Sequence, residues 1–80
     1  MPELGYVVAR NIRAERARLG LRQADLAERL GWIAVTVSAV ETGKRQIGIS
    51  EMPALCEALG VTLHDLLRGA EPDDLRRLGL

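Results

Sequence analysis

Between Gln23 and Gly43 the apolar residues fall into two short groups separated by Gly31, and this spacing leaves few folds open. Leu26 and Leu30, four apart, place apolar groups on one face of a helix, and Val37 and Val40, three apart, give a second helix its inward stripe. Ala27 is small where a second helix has to cross closely. Gly31 ends the first helix at a position that favours left-handed backbone. The spacing predicts two short helices, over 23–30 and 34–42, joined by a tight glycine-centred turn.

The flanking sequence predicts more helices and no strands. Residues 6–19 read as a helix with Val8, Ile12 and Leu19 as inward positions, closed by Gly20. The stretch 43–49 is a glycine-bounded loop. Ser50 is then expected to cap a fourth helix, with Glu51 at its positive end, Pro53 in its first turn, and Met52, Leu55, Cys56 and Leu59 on one face; Gly60 ends it. Thr62-Leu63-His64-Asp65 resembles a capping box opening a fifth helix with Leu66 and Leu67, which Gly69 stops. Pro72-Asp73-Asp74 opens a last turn or two carrying Leu75 and Leu78, with Arg76 and Arg77 near its end. The fold class is all-α: one domain over residues 1–80, with a core at 6–68 and a tail at 69–80.

Eighty residues build only a modest core. One Trp, one Tyr and no Phe argue against the aromatic platforms on which single-strand and RNA binders stack bases. A single cysteine, Cys56, excludes an intrachain disulfide and a cysteine-based zinc site. It reads as a small buried hydrophobe, and His64 as a surface or interface histidine. With no membrane-length apolar run and no signal-peptide pattern, a cytoplasmic, nucleoid-associated location is expected. The net charge is zero but unevenly spread. Residues 1–48 hold eight Arg/Lys against five Asp/Glu, a net of +3, and residues 49–80 hold three against six, a net of −3. This suggests a basic face with an acidic remainder. No nucleophile–base pair, metal cluster or phosphate loop is present, so neither catalysis nor a cofactor is expected.

The two-helix layout is that of a DNA-reading helix-turn-helix. Three blocks carry a wider likeness: Gln23…Leu26-Ala27…Leu30-Gly31; Val37-Ser38…Val40-Glu41…Gly43-Lys44; and Leu59-Gly60-Val61-Thr62-Leu63…Leu66-Leu67. Over roughly residues 8–68 the chain resembles the lambda repressor/Cro-type helix-turn-helix family, which implies a compact five-helix domain that binds a double-stranded DNA operator. The resemblance implies a phosphate beside Gln23, at the start of the second helix, with Arg22 as a neighbouring candidate. It sets Ala34, Val35, Thr36 and Ala39 of the third helix against base edges, with Ser38 if it faces the groove. Lys44, Arg45 and Gln46 would contact the backbone from the following loop, and Arg16 and Glu41 match a family ion pair holding the third helix against the first.

The chain departs from the family pattern at two kinds of position. Arg22 and Ile33 stand where Ser or Thr commonly cap the second and third helices. Ala34, Val35 and Ala39 carry no hydrogen-bonding side chain, so bidentate contacts to guanine or adenine are closed to them. Thymine methyls, the hydroxyls of Thr36 and Ser38, and DNA shape remain. Arg13, Arg18 and Arg29 could each touch phosphate, though Arg29 with Asp25 could equally be a surface helix pair. Trp32 reads as a packing residue at the entry to the third helix. Leu63, Leu66, Leu67, Leu75, Leu78 and Leu80 exceed what one small core needs. Part of this set is expected to form a homodimer surface, with packing of the tail on its own core as the alternative. The function expected from the resemblance is a dimeric transcriptional regulator of repressor type and bacterial or phage origin; a protein-interaction or antitoxin-like module is the other class, motivated by the apolar Ile33, Ala34 and Val35.

Overall fold

A computed structural model describes residues 3–80. The chain forms α1 (Leu4–Arg18), α2 (Gln23–Leu30) and α3 (Ala34–Glu41), then a single 3₁₀ turn (Ile49–Glu51) that runs into α4 (Met52–Leu59), α5 (Leu63–Leu66) and α6 (Pro72–Arg77). Among the described residues there is no strand, and no helix is long and apolar enough to cross a membrane. Helix α1 lies against α3, α4 and α5, while α2 packs on α3 and α4.

Every core helix places at least one side chain in a single cluster. Ile12, Leu26, Val37, Leu55, Leu59 and Leu66 are almost completely buried, and Val40 and Ala27 close the space between α2 and α3. Each buried Leu, Ile or Val contributes roughly 1.5–3 kcal/mol through apolar area removed from water. The turn between α2 and α3 has the geometry its glycine predicts. Gly31 adopts φ 70°, its N–H donates to the Glu28 carbonyl, and the Trp32 N–H reaches back 2.8 Å to the Ala27 carbonyl. This closes the carbonyls at the end of α2 and sets the angle at which α3 leaves.

Two positions differ from the periodic reading of α1. The helix starts two residues earlier, at Leu4, and Val7 is fully buried, whereas Leu19, the C-cap, is exposed. Asn11 is buried as well. Its amide donates to the carbonyls of Leu66 at 2.7 Å and Arg68 at 2.8 Å, tying the end of α5 to α1. Polar character hid this residue from a search for apolar stripes. Arg10 adds a bond from Nη2 to the same Arg68 carbonyl.

Capping also departs from expectation in one place. Ser50 does not cap α4: it lies inside the 3₁₀ turn, which opens after Gly48, where the Gly48 N–H donates to Glu51 Oε1 at 2.9 Å. The Thr62 box forms as its sequence predicts, with Asp65 N–H on Thr62 Oγ1 and Thr62 N–H on Asp65 Oδ2. Arg29 turns away from Asp25 and donates to the Ala58 carbonyl near the end of α4; Asp25 pairs with Arg22 instead.

Candidate nucleic-acid interface

The centre of the site is one carboxylate shared by three helices. Glu41 accepts from Arg16 Nε at 2.6 Å and Arg16 Nη2 at 2.9 Å, and from Gln23 Nε2 at 3.2 Å. Its side chain is 2% exposed and that of Arg16 is 15% exposed. Arg16 Nη1 also donates to the Leu21 carbonyl at 2.7 Å, so the guanidinium bridges the end of α3 and the segment leading into α2. The hydrogen bond to Glu41 raises the Arg16 pKa further above its already high ordinary value. Bidentate, largely dry pairing of this kind fixes orientation as well as charge. It holds Gln23, the first residue of α2, beside the C-terminal end of α3.

Helix α3 then turns its other side outward. At 100° per residue, Val37 and Val40 face the core, and Val35, Ser38 and Ala39 project from the opposite side. Val35 is 72% exposed; Ala34, Thr36, Ser38 and Ala39 are half-buried, with Thr36 on the flank. Ile33, in the extended conformation of an N-cap (φ −110°, ψ 159°), is 67% exposed and provides no capping side chain. The outward face of α3 is therefore short, apolar and accessible, with hydroxyls only at its edges.

Past α3 the loop is more tied down than its sequence shows. Lys44 and Arg45 both donate their backbone N–H to the Ala39 carbonyl. The Lys44 ammonium is exposed and has no ion pair among the described residues. The Arg45 guanidinium instead pairs with Glu51, Nη2 to Oε2 at 2.7 Å, and lies 5.0 Å over the Trp32 ring. Glu51 is held below the usual carboxylate range by Arg45 and then by the Gly48 N–H. Trp32 thus packs as expected, with an added cation–π contact. Arg45 and Glu51 are six apart across an irregular turn, a spacing that carries no helical or strand signal. Gln46 is exposed, its amide close against Gly5. Arg22 is mostly exposed while paired to Asp25, whose pKa is lowered by that contact.

These positions, brought to one side, can offer N–H groups and cations to an anionic backbone on both flanks of an apolar ridge. Residues 7–69 match the family described as helix-turn-helix domain, most of the described chain. The chain belongs to that family. It is 37% identical over 65 residues to a hypothetical transcription factor of Neisseria meningitidis, a match covering 81% of this chain and 61% of that relative. It therefore spans about three fifths of the relative's length. The crystal structure of the Neisseria hypothetical transcription factor NHTF superposes with a TM-score of 0.75 at 34% identity, covering 95% of this chain and 85% of that one. The P22 c2 repressor, solved in complex with a synthetic operator, gives 0.69 at 32% identity over 78% of this chain and 94% of its own. These matches agree with the all-helical model in giving the chain a lambda-repressor-like helix-turn-helix fold.

The C-terminal leucines need a correction. Leu66 is 0% and Leu67 5% exposed, because α5 is only four residues long and turns both inward against the core. Leu66 offers no area to a partner, and Leu67 reaches only the wall of an apolar groove. Leu75 is half-buried and packs on the same core. Leu63, Leu78 and Leu80 instead line an apolar groove of about 430 Å³ together with Leu4, Ile47 and Ile49. Burial raises the Cys56 thiol pKa, with Asp65 adding to the effect, which leaves a poor nucleophile.

Proposed function

We propose that the protein is a sequence-specific, double-stranded DNA-binding transcriptional regulator, acting as a dimeric repressor of bacterial or phage type within the nucleoid. The observation that carries this reading is the Arg16–Glu41–Gln23 network, which joins α1, α2 and the end of α3 while leaving the opposite face of α3 open. With α3 in the major groove, Gln23 and Arg22 meet the backbone on one flank, and Lys44, Gln46 and Arg45 meet it on the other. Arg45 reaches a phosphate only by sharing its donors with Glu51, which makes Lys44 the stronger contact of the loop.

Base readout rests on Val35, Ala34 and Ala39 against thymine methyls, helped by the Thr36 and Ser38 hydroxyls. Affinity then comes mainly from phosphates and from pairing of two copies. The groove edged by Leu63, Leu78 and Leu80, with Ile49 82% exposed beside it, is the dimer surface in this reading. A second reading, a protein-interaction module of antitoxin type, draws on the exposed Ile33 and Val35. An electrophoretic shift with promoter DNA of the protein's own locus, repeated over a salt series, separates the two. Binding at low salt that weakens steeply with added salt supports the regulator. No shift at low salt rejects it in favour of the protein contact.

A further inference from the structure

Beside the shared carboxylate lies a small cleft that the helix-turn-helix reading leaves unused. Tyr6, Ala9, Arg10 and Arg13 of α1 form one wall, and Glu41, Thr42 and Gly43 at the end of α3 form the other, enclosing about 160 Å³. On α1 these four residues fall within a third of a turn of one another. Most polar groups on the α3 wall are already satisfied. Glu41 is neutralised by Arg16 and capped by Gln23, the Thr42 hydroxyl donates to the Ser38 carbonyl, and the Gly43 N–H donates to the Val40 carbonyl.

What remains is cationic and donor-rich. Arg13 is exposed and makes no hydrogen bond or ion pair among the described residues. Arg10 uses Nη2 on the Arg68 carbonyl and keeps its other N–H groups. Tyr6 is 60% exposed and lines the cleft. Among the described residues lining the cleft, the one acid is Glu41, already paired with Arg16.

We infer that this cleft binds a backbone phosphate of the DNA, extending the contact track from Gln23 past the end of α3 along α1, with Arg13 as the main charge and Tyr6 and Arg10 as further donors. The inference rests on the DNA-binding reading above. Two features point to phosphate over another anion: the cleft shares Glu41 with the Gln23 position, and its α3 wall continues directly into Lys44. The volume accommodates a phosphodiester group with some solvent, since liquid water takes about 30 Å³ per molecule. Such a contact carries no base information, so it strengthens specific and unrelated sites alike.

The test is the salt dependence of binding, read by fluorescence anisotropy on a duplex recovered by selection from random DNA and on an unrelated duplex. Arg13→Ala is expected to weaken both by a similar factor and to lower the slope of log K against log salt by about 0.9, the loss of one phosphate contact. Arg13→Lys restores the slope. Arg77→Ala, which removes the same charge from the exposed end of α6, leaves it unchanged. Thermal melting checks that each variant is folded. If Lys44→Ala lowers the slope and Arg13→Ala does not, the cleft is not a phosphate site although the regulator reading stands. Equal losses from Arg13→Ala and Arg77→Ala overturn the local contact in favour of general charge. A duplex bound by no variant, the unaltered protein included, is instead the failure of the DNA-binding reading itself.

Discussion

Glu41 is the residue on which three helices converge, and its removal leaves the Arg16 guanidinium mostly buried without its main partner. Breaking one side of such a pair is far more damaging than replacing both sides by apolar groups of similar size. Glu41→Ala is therefore expected to lower stability by about 3 kcal/mol, read from urea unfolding. The double variant Arg16→Met/Glu41→Leu is expected to lose less than Glu41→Ala alone; a double variant that loses as much would show that the pair's value lies outside the charge balance. Asn11 poses a similar problem without charge. Asn11→Ala strips a donor from two carbonyls at the end of α5 and is expected to cost about 2 kcal/mol. Hydrogen exchange should localise that loss to α5.

At the scale of elements, α2 and α3 are where sequence and structure agree most closely, because the constraint is local. Gly31 at φ 70° has open space where a Cβ would sit, so Gly31→Ala meets only backbone strain, about 1–2 kcal/mol. Ile33 holds N-cap geometry without a capping group, and Ile33→Ser is expected to stabilise α3 by about 1 kcal/mol. The same change leaves a smaller apolar ridge, so a gain in melting temperature together with weaker DNA binding is the expected pair of results. The helix boundaries at Gly20, Gly31, Gly60, Thr62 and Pro72 were legible because these residues act within a few positions. Helix α1 was harder: Val7 is fully buried, and Asn11 is held inward by the Leu66 carbonyl at the end of α5, 55 residues away, which no local pattern encodes. The Arg45–Glu51–Trp32 cluster was hidden too, its members brought together by a turn that starts two residues earlier than the Ser50 signal suggests. The burial of Leu66 and Leu67 was not legible, because an excess of apolar residues says nothing about which of them a four-residue helix turns inward.

Across the whole molecule, several carboxylates are set by partners that exist only in the fold. Asp25 is lowered by Arg22, Glu51 by Arg45, and Asp65 by the Thr62 N–H and hydroxyl. A depressed folded pKa stabilises the protein at pH values above the unfolded carboxylate range, and that contribution is lost as pH falls through the folded values. Unfolding midpoints should therefore be level near neutrality and fall below about pH 4. Asp65→Asn should make the acid decline shallower, as circular dichroism melts would show. The charge asymmetry of the chain belongs to this scale as well, since the cations of its first half include those of the proposed interface, whereas the α6 region carries Glu71, Asp73 and Asp74. The most direct measurement is selection of bound duplexes from a random pool, followed by thymine-to-uracil exchange in the recovered site. The expected result is a two-fold symmetric site with half-sites about one helical turn apart, A·T-rich where α3 sits, and weakened when the thymine methyls are removed. A recovered site that is G·C-rich at those positions and indifferent to uracil, or no enrichment at all, would contradict it.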